Sequence, residues 1–221
     1  MKYTLHYFDI EGRAESIRLT FTLAGIEFED HRFGSRDEFK AMKESGKFLF
    51  GQVPALEVTD DAGTTTMLNQ TAALMRFVGK GTTLYPSHAV LATKVDAIVD
   101  QRSDAYAGLS VAKYQDRFGF GFIKDTEMAD TAKKNWNTDI MPKHLTMLAN
   151  LLDVGGTGWL AGTPEPSIAD ALWAPDLKAL NEGKSSGDDT VLKAFPTLID
   201  FLKRFYALPA IKAYYGDELV K

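Results

Sequence analysis

Strand and helix signals alternate up to residue 80, and beyond it the strand signals stop. A chain ordered this way needs a sheet for its first part and helix-on-helix packing for its second. Tyr3 to Phe8 (Tyr-Thr-Leu-His-Tyr-Phe) is rich in aromatics and precedes any helix signal, so it reads as a strand. Arg13 to Ala24, with Ile17, Leu19, Phe21 and Leu23, reads as a helix ended by Gly25. Glu27 to Arg32 reads as a second strand, and Ser35 to Ser45 as a charged, weakly helical stretch. Ala55 to Val58 and Thr64 to Leu68 flank the turn signal Asp60-Asp61-Ala62-Gly63 and read as a hairpin. Gln70 to Val78 is a third helix, closed by Gly79. The expected order is βαβαββα.

Lys80 to Ser87 breaks the pattern. The expected division is therefore residues 1–80, a linker at 81–87, and an all-α part at 88–221. Long helical stretches run over His88–Val111 and Asp125–Leu152, with Pro142 kinking or dividing the second. Gly155-Gly156 ends it. Ser167–Leu180, Thr190–Tyr206 and a short piece near Pro209 complete the helical part.

Composition narrows the class of function. Hydrophobic residues at 45% and charged residues at 25% suit a soluble globular protein rather than a disordered chain. The net charge is −5, and neither part is basic: 10 basic against 12 acidic residues up to residue 80, leaving 15 against 18 after it. No nucleic acid or anionic membrane is expected as a partner. No charge-free run reaches the ~18 residues of a membrane span. Asp9 and Glu11 follow the first residues too soon for the apolar core of a signal peptide, so a cytoplasmic protein is expected. There are no cysteines, which excludes disulfides, thiol nucleophiles, cysteine metal ligands and C-x-x-C redox pairs. Four scattered histidines have no metal spacing, so no metal site is expected.

Four local features carry chemistry. Tyr7 closes the first strand; its hydroxyl either donates to an anion such as a thiolate, lowering that thiol's pKa, or is the wet tip of an ordinary strand tyrosine. Gln52-Val53-Pro54 leads a strand. The proline is either a plain strand opener or a cis bond that presents Val53 to an extended peptide. Asn69-Gln70-Thr71 opens a helix, as simple caps or as an anion site built from free N–H groups, the Thr71 hydroxyl and the Gln70 amide. Ser167-Ile168-Ala169-Asp170 follows capping-box logic and is structural. Arg117-Phe118-Gly119-Phe120-Gly121-Phe122 either lines an apolar pocket or packs as a loop on a helix end. Trp136, Trp159 and Trp173 read as core or surface anchors, and Lys133-Lys134 as a solvated helix face.

In this order and spacing the features resemble the cytosolic glutathione transferases, most closely the sigma class. The matching stretches are Tyr7-Phe8 with Gly12-Arg13-Ala14-Glu15, Phe50-Gly51-Gln52-Val53-Pro54, Asn69-Gln70-Thr71, Val95 to Asp100, and Ser167 to Asp170, and they cover nearly the whole chain. The resemblance implies an α/β thioredoxin-like N-terminal domain that binds glutathione and an all-helical C-terminal domain that carries a second, hydrophobic substrate. It implies that Tyr7 activates the glutathione thiol with electrostatic support from Arg13. Glutathione would be held by Tyr7, Phe39, Lys43, Gln52, Val53, Pro54, Gln70 and Thr71, and by Asp104 of a partner subunit in a homodimer. Phe8, Gly12, Tyr106, Phe118 and Phe120 would line the site for a small apolar electrophile. Glutathione enters as co-substrate, with no tightly bound cofactor. Phe39 stands where an indole donor is common and cannot supply that hydrogen bond. Thr71 keeps the hydroxyl of the usual serine, and Pro166 stands where an apolar staple residue precedes the cap. Glutathione-dependent isomerisation and non-enzymatic ligand binding are the rival functions for such a fold.

Overall fold

The computed structural model describes residues 1–121, 126–184 and 187–216. They form two compact units, Met1–Ser87 with the segment from Leu208 on, and His88–Ala207.

The first unit is a four-stranded mixed sheet with helices on both faces. Its elements in chain order are β1 (Lys2–Phe8), α1 (Glu15–Ala24), β2 (Glu29–Phe33), α2 (Arg36–Glu44), β3 (Ala55–Thr59), β4 (Thr65–Asn69) and α3 (Thr71–Gly79). The sheet order is β2-β1-β3-β4, with β1 parallel to β2 and the other two pairs antiparallel. Side chains alternate along β1, and each face meets its own helices. Tyr3 packs on Phe21 of α1 and Phe77 of α3, while Phe8 packs on Phe39 of α2. Gly25 ends α1 in the left-handed conformation, its N–H closing on the last turn, as the sequence leads one to expect. Ser35 caps α2 through its side chain. Asp60 organises the hairpin turn by accepting from the N–H groups of Ala62 and Thr64.

The second unit is helical among its described residues: α4 (Ala89–Lys113), α5 (Thr126–Asn135), α6 (Met141–Gly155), α7 (Ile168–Asn181) and α8 (Pro196–Tyr206). The stretch from 125, expected to be kinked or divided at Pro142, is interrupted just before it by a π turn at Trp136–Ile140, and Pro142 stands in the first turn of α6, where its missing N–H costs little. The stretch expected as one helix over Thr190–Tyr206 is broken too. Phe195 precedes Pro196 and is held out of the helical region (φ −124°, ψ 72°), so α8 begins only at the proline. Trp136 and Trp173 are buried, their indoles donating to the carbonyls of Ala105 (2.7 Å) and Ile98 (2.9 Å) on α4.

The last helix, α9 (Pro209–Tyr215), departs from the sequence expectation. It packs on α1 in the first unit, where the sequence reading placed it with the all-α part. Ile211 of α9 is wholly buried, and Tyr215 donates to the buried Glu15 of α1 at 2.5 Å.

Candidate active site

The register collects three of the four chemical features at one end of the sheet. β1 runs antiparallel to β3 with His6 opposite Ala55, and β3 runs antiparallel to β4 with Ala55 opposite Asn69. The C-terminal end of β1, the N-terminal end of β3 and the C-terminal end of β4 are therefore neighbours. Tyr7, the Gln52-Val53-Pro54 loop and Gln70-Thr71 stand on those three ends.

Tyr7 is 7% exposed, and its hydroxyl oxygen accepts a hydrogen bond from the Arg13 backbone N–H at 3.1 Å. Accepting there polarises the O–H and leaves its proton to be donated elsewhere. Gly12 makes the approach possible. A Cβ at this position would lie 2.8 Å from Tyr7 Oη and 2.9 Å from Cε1, and the backbone has φ +46°. Gly12, which the resemblance assigns to the wall of the apolar substrate site, lies against the Tyr7 ring.

The turn carrying Gly12 and Arg13 is pinned by Arg18 of α1, which nothing in the sequence marks out from the rest of its helix. Arg18 is wholly buried. Its Nη1 donates to the carbonyls of Ile10 (3.0 Å) and Glu11 (3.3 Å) and to Glu15 Oε2 (3.0 Å), and its Nε to Asp30. A buried cation is tolerated only with such pairing. The Arg13 side chain is exposed.

Val53-Pro54 is cis, the second of the two alternatives open in the sequence. Lys43 lies against the same loop, its Cε 3.2 Å from where a Gly51 Cβ would stand. Phe39 is half-buried in a cluster with Phe33, Phe48 and Phe8, stacked 6.1 Å from Phe48. Phe8 shares that cluster, 5.1 Å from Phe39 between ring centres. Both aromatic rings thus anchor α2 to the sheet.

At α3 the capping alternative fails. Gln70 occupies the cap position with φ +76° and ψ 114°, and its side chain makes no cap hydrogen bond. Such a backbone costs on the order of 1–3 kcal/mol and clusters at functional sites. The Gln70 side chain therefore does not cap the first N–H groups of α3, and free N–H groups at a helix start are the condition for receiving an anion.

Beneath the loop lies a polar cluster on the opposite face of β1 from Tyr7. His6 is 4% exposed, its ring 4.9 Å from His31, and Lys47 pairs with Glu57 at 2.7 Å. Burial, then Lys47 and His31, push the His6 pKa down against the pull of Glu57. Among the described residues no group of three or more ligating side chains is placed to hold a metal.

The remaining sequence candidates lie in the helical unit. Asp104 is exposed on α4. Tyr106 is half-buried, between Trp136 (5.2 Å) and the Arg102 guanidinium (4.8 Å), and burial pushes its phenol well above its ordinary pKa. Phe118 and Phe120 are exposed on the turn after α4; Phe122 lies outside the described residues. Ser167 accepts from the Ala169 N–H, and Asp170 accepts from the Ser167 N–H at 2.7 Å and the Leu160 N–H at 2.8 Å. Burial raises the Asp170 pKa to about 6 even against those donors. Pro166 is itself buried beside the cap.

This arrangement matches known proteins along nearly the whole chain. The family model described as "Glutathione S-transferase, C-terminal domain" matches residues 116–218. Glutathione S-transferase 1 of Ascaris suum is 34% identical over 222 residues, covering 98% of this chain and 97% of the relative. Mouse hematopoietic prostaglandin D synthase is 29% identical over 96% of this chain and 94% of its own. The solved structure of a major nematode-specific glutathione transferase from C. elegans superposes with a TM-score of 0.79 at 29% identity, covering 100% of this chain and 98% of that one. The chain belongs to the glutathione S-transferase family, with a thioredoxin-like first domain and a helical second one.

Proposed function

We propose that the protein is a glutathione transferase in which Tyr7 generates the reactive thiolate. The observation that carries this reading is the buried Tyr7 hydroxyl accepting from the Arg13 N–H, which commits its oxygen and leaves its proton for the ligand's sulfur. The thiol proton leaves to solvent, and the thiolate stays as acceptor of the Tyr7 hydrogen bond. Lowering the thiol's pKa by about two units takes roughly 2.7 kcal/mol of preference for the anion. One charge-assisted bond supplies most of that, helped by the exposed Arg13 cation. The sulfur lone pair then forms a C–S bond to an electrophilic carbon, whose leaving group or π electrons take up the displaced charge. Holding both reactants removes much of the entropic barrier.

Glutathione is held as an extended peptide along Val53, with its charged ends on Gln70, Thr71 and the α3 N-terminus and on Gln52 and Lys43. Phe39 offers an apolar edge only. The electrophile is a small apolar molecule, and Tyr106, Phe118 and Phe120 are the residues assigned to it. Since the chain has no cysteine, the reactive sulfur comes from the ligand, and no tightly bound cofactor is proposed.

A cytoplasmic homodimer is the proposed form, with Asp104 reaching the partner subunit's glutathione. Among the described residues no helix is long and apolar enough to cross a membrane. Two features support a dimer: Leu49 and Phe50 are 66% and 56% exposed, and an apolar groove of about 700 Å³ runs between α4 and α6, lined by Met147 and Leu151.

Similarity to a prostaglandin D synthase favours a second reading, glutathione-dependent isomerisation of an apolar substrate by the same thiolate. A conjugation assay with glutathione and a panel of electrophiles tests the first reading, run on wild type and Tyr7→Phe. The expected result is a substantial loss of rate in the variant with glutathione affinity largely kept. Equal rates in the two proteins would remove Tyr7 from the mechanism.

A further inference from the structure

Asn69 ends β4 and is 8% exposed. It shares a strand face with Met67, which packs on the apolar cluster of Phe33, Phe48 and Ala55. An amide in that position must find partners, and it finds all of them in one loop. Its Nδ2 donates to the carbonyls of Gln52 (2.9 Å) and Pro54 (3.3 Å), and its Oδ1 accepts from the Leu49 N–H at 3.2 Å.

The two carbonyls bracket Val53. The amide grips the backbone on either side of that residue and leaves Val53's own N–H and C=O without a hydrogen-bond partner among the described residues. The β3–β4 pairing stops at Ala55 opposite Asn69, so the loop before Ala55 depends on this side chain for its attachment to β4. The next residues in the chain are Gln70 and Thr71, which open α3.

We propose that Asn69 is a positioning residue for glutathione: it fixes the Val53 peptide edge relative to the Gln70-Thr71 anion site, so that the tripeptide meets both already in place. The proposal rests on the glutathione reading above. Preorganisation of this kind acts on binding of the co-substrate and leaves the Tyr7 chemistry alone.

Two variants test it. Asn69→Ala removes all three bonds. Asn69→Asp keeps the shape and the acceptor for Leu49 but turns an acceptor toward two carbonyls. Both should raise the glutathione KM about tenfold, equal to about 1.4 kcal/mol. The kcat at saturating glutathione and the pKa of the bound thiol should stay at wild-type values. Amide exchange over residues 49–54 should accelerate. A wild-type KM in either folded variant overturns the proposal, and so does a fall in kcat matching the rise in KM. Should both variants fail to fold, wild type alone decides: the Leu49 amide must exchange slowly before glutathione is added, and exchange at the unprotected rate overturns the proposal. Wild type failing to bind glutathione in calorimetry would sink the reading beneath it as well, whereas wild-type binding with an unchanged variant KM sinks this proposal alone.

Discussion

Replacing Gly12 with alanine puts one methyl group between the β1–α1 turn and the Tyr7 ring. Its carbon would stand 2.8 Å from Oη, 2.9 Å from Cε1 and 3.2 Å from Cζ. Carbon contacts settle at about 3.5–4.0 Å, so the ring must retreat by roughly 0.6–1 Å or the turn must move. Either motion strains the Arg13 N–H bond to Oη, which at 3.1 Å is already near the long end of the usual range. Overpacking costs about 1–3 kcal/mol and the left-handed backbone at φ +46° about 1–2 more. At about 2–4 °C per kcal/mol for a chain of this size, the Tm should fall by roughly 4–20 °C. The chemical consequence is separable. A charge-assisted bond to the thiolate is worth about 1.5–3 kcal/mol, and one pKa unit is about 1.4. Displacing the hydroxyl should therefore raise the bound thiol's pKa by about 1–2 units and slow conjugation about 10- to 100-fold near neutrality. Ultraviolet titration of the thiolate in the Gly12→Ala complex reads the first, and the rate should recover as pH rises. A wild-type thiol pKa in a variant with lowered Tm would refute the link from Gly12 to the chemistry; a wild-type Tm would refute the contact itself.

Stability should respond to acid through two buried groups of opposite sign. His6 has a lowered pKa in the fold, so its contribution is whole above about 6.5 and is lost as pH falls below that. Asp170, raised to about 6, contributes most below about 3.9 and loses that contribution as pH rises through 6, which amounts to about 1 kcal/mol between pH 7 and 5. Urea midpoints at the two pH values should show His6→Gln less sensitive to acidification than wild type and Asp170→Asn more sensitive; identical slopes in all three proteins would rule out both groups. Phe50→Ser should shift the protein from dimer to monomer in sedimentation at micromolar concentration, and an unchanged dimer would place the interface elsewhere.

What the sequence disclosed follows from the range of the interactions involved. Gly25, Ser35 and the Asp60–Gly63 turn act within a few residues of themselves, so composition and spacing located the elements they bound. Pro142 and Pro196 also act locally, yet only Pro142 was read as a break, because Pro196 follows too little helical pattern to interrupt visibly. Tyr7, Val53 and Gln70 were found from their chemistry, but the choice between their alternatives lay in the backbone. The cis bond at Pro54 and the positive φ at Gln70 are tertiary outcomes that no window of sequence fixes.

Two residues whose structural role is not legible in the sequence share a property that explains why. Asn69 and Arg18 are polar, buried, and bonded to backbone carbonyls that hold a functional segment. In sequence Asn69 belongs to a stretch that reads as a helix cap or an anion site, and Arg18 is one position in a helix. Burial of such groups is unfavourable unless their donors are matched; those of Asn69 are, and so are those of Arg18 except Nη2, so each marks a turn that side-chain hydrogen bonds hold in place. Here the two turns are those under Tyr7 and around Val53. A thiol activated by one hydroxyl tolerates little displacement of that hydroxyl or of the peptide carrying the sulfur. Rigidity at these two turns is what the chemistry requires, and an apolar residue at position 18 or 69 would pack there without supplying it.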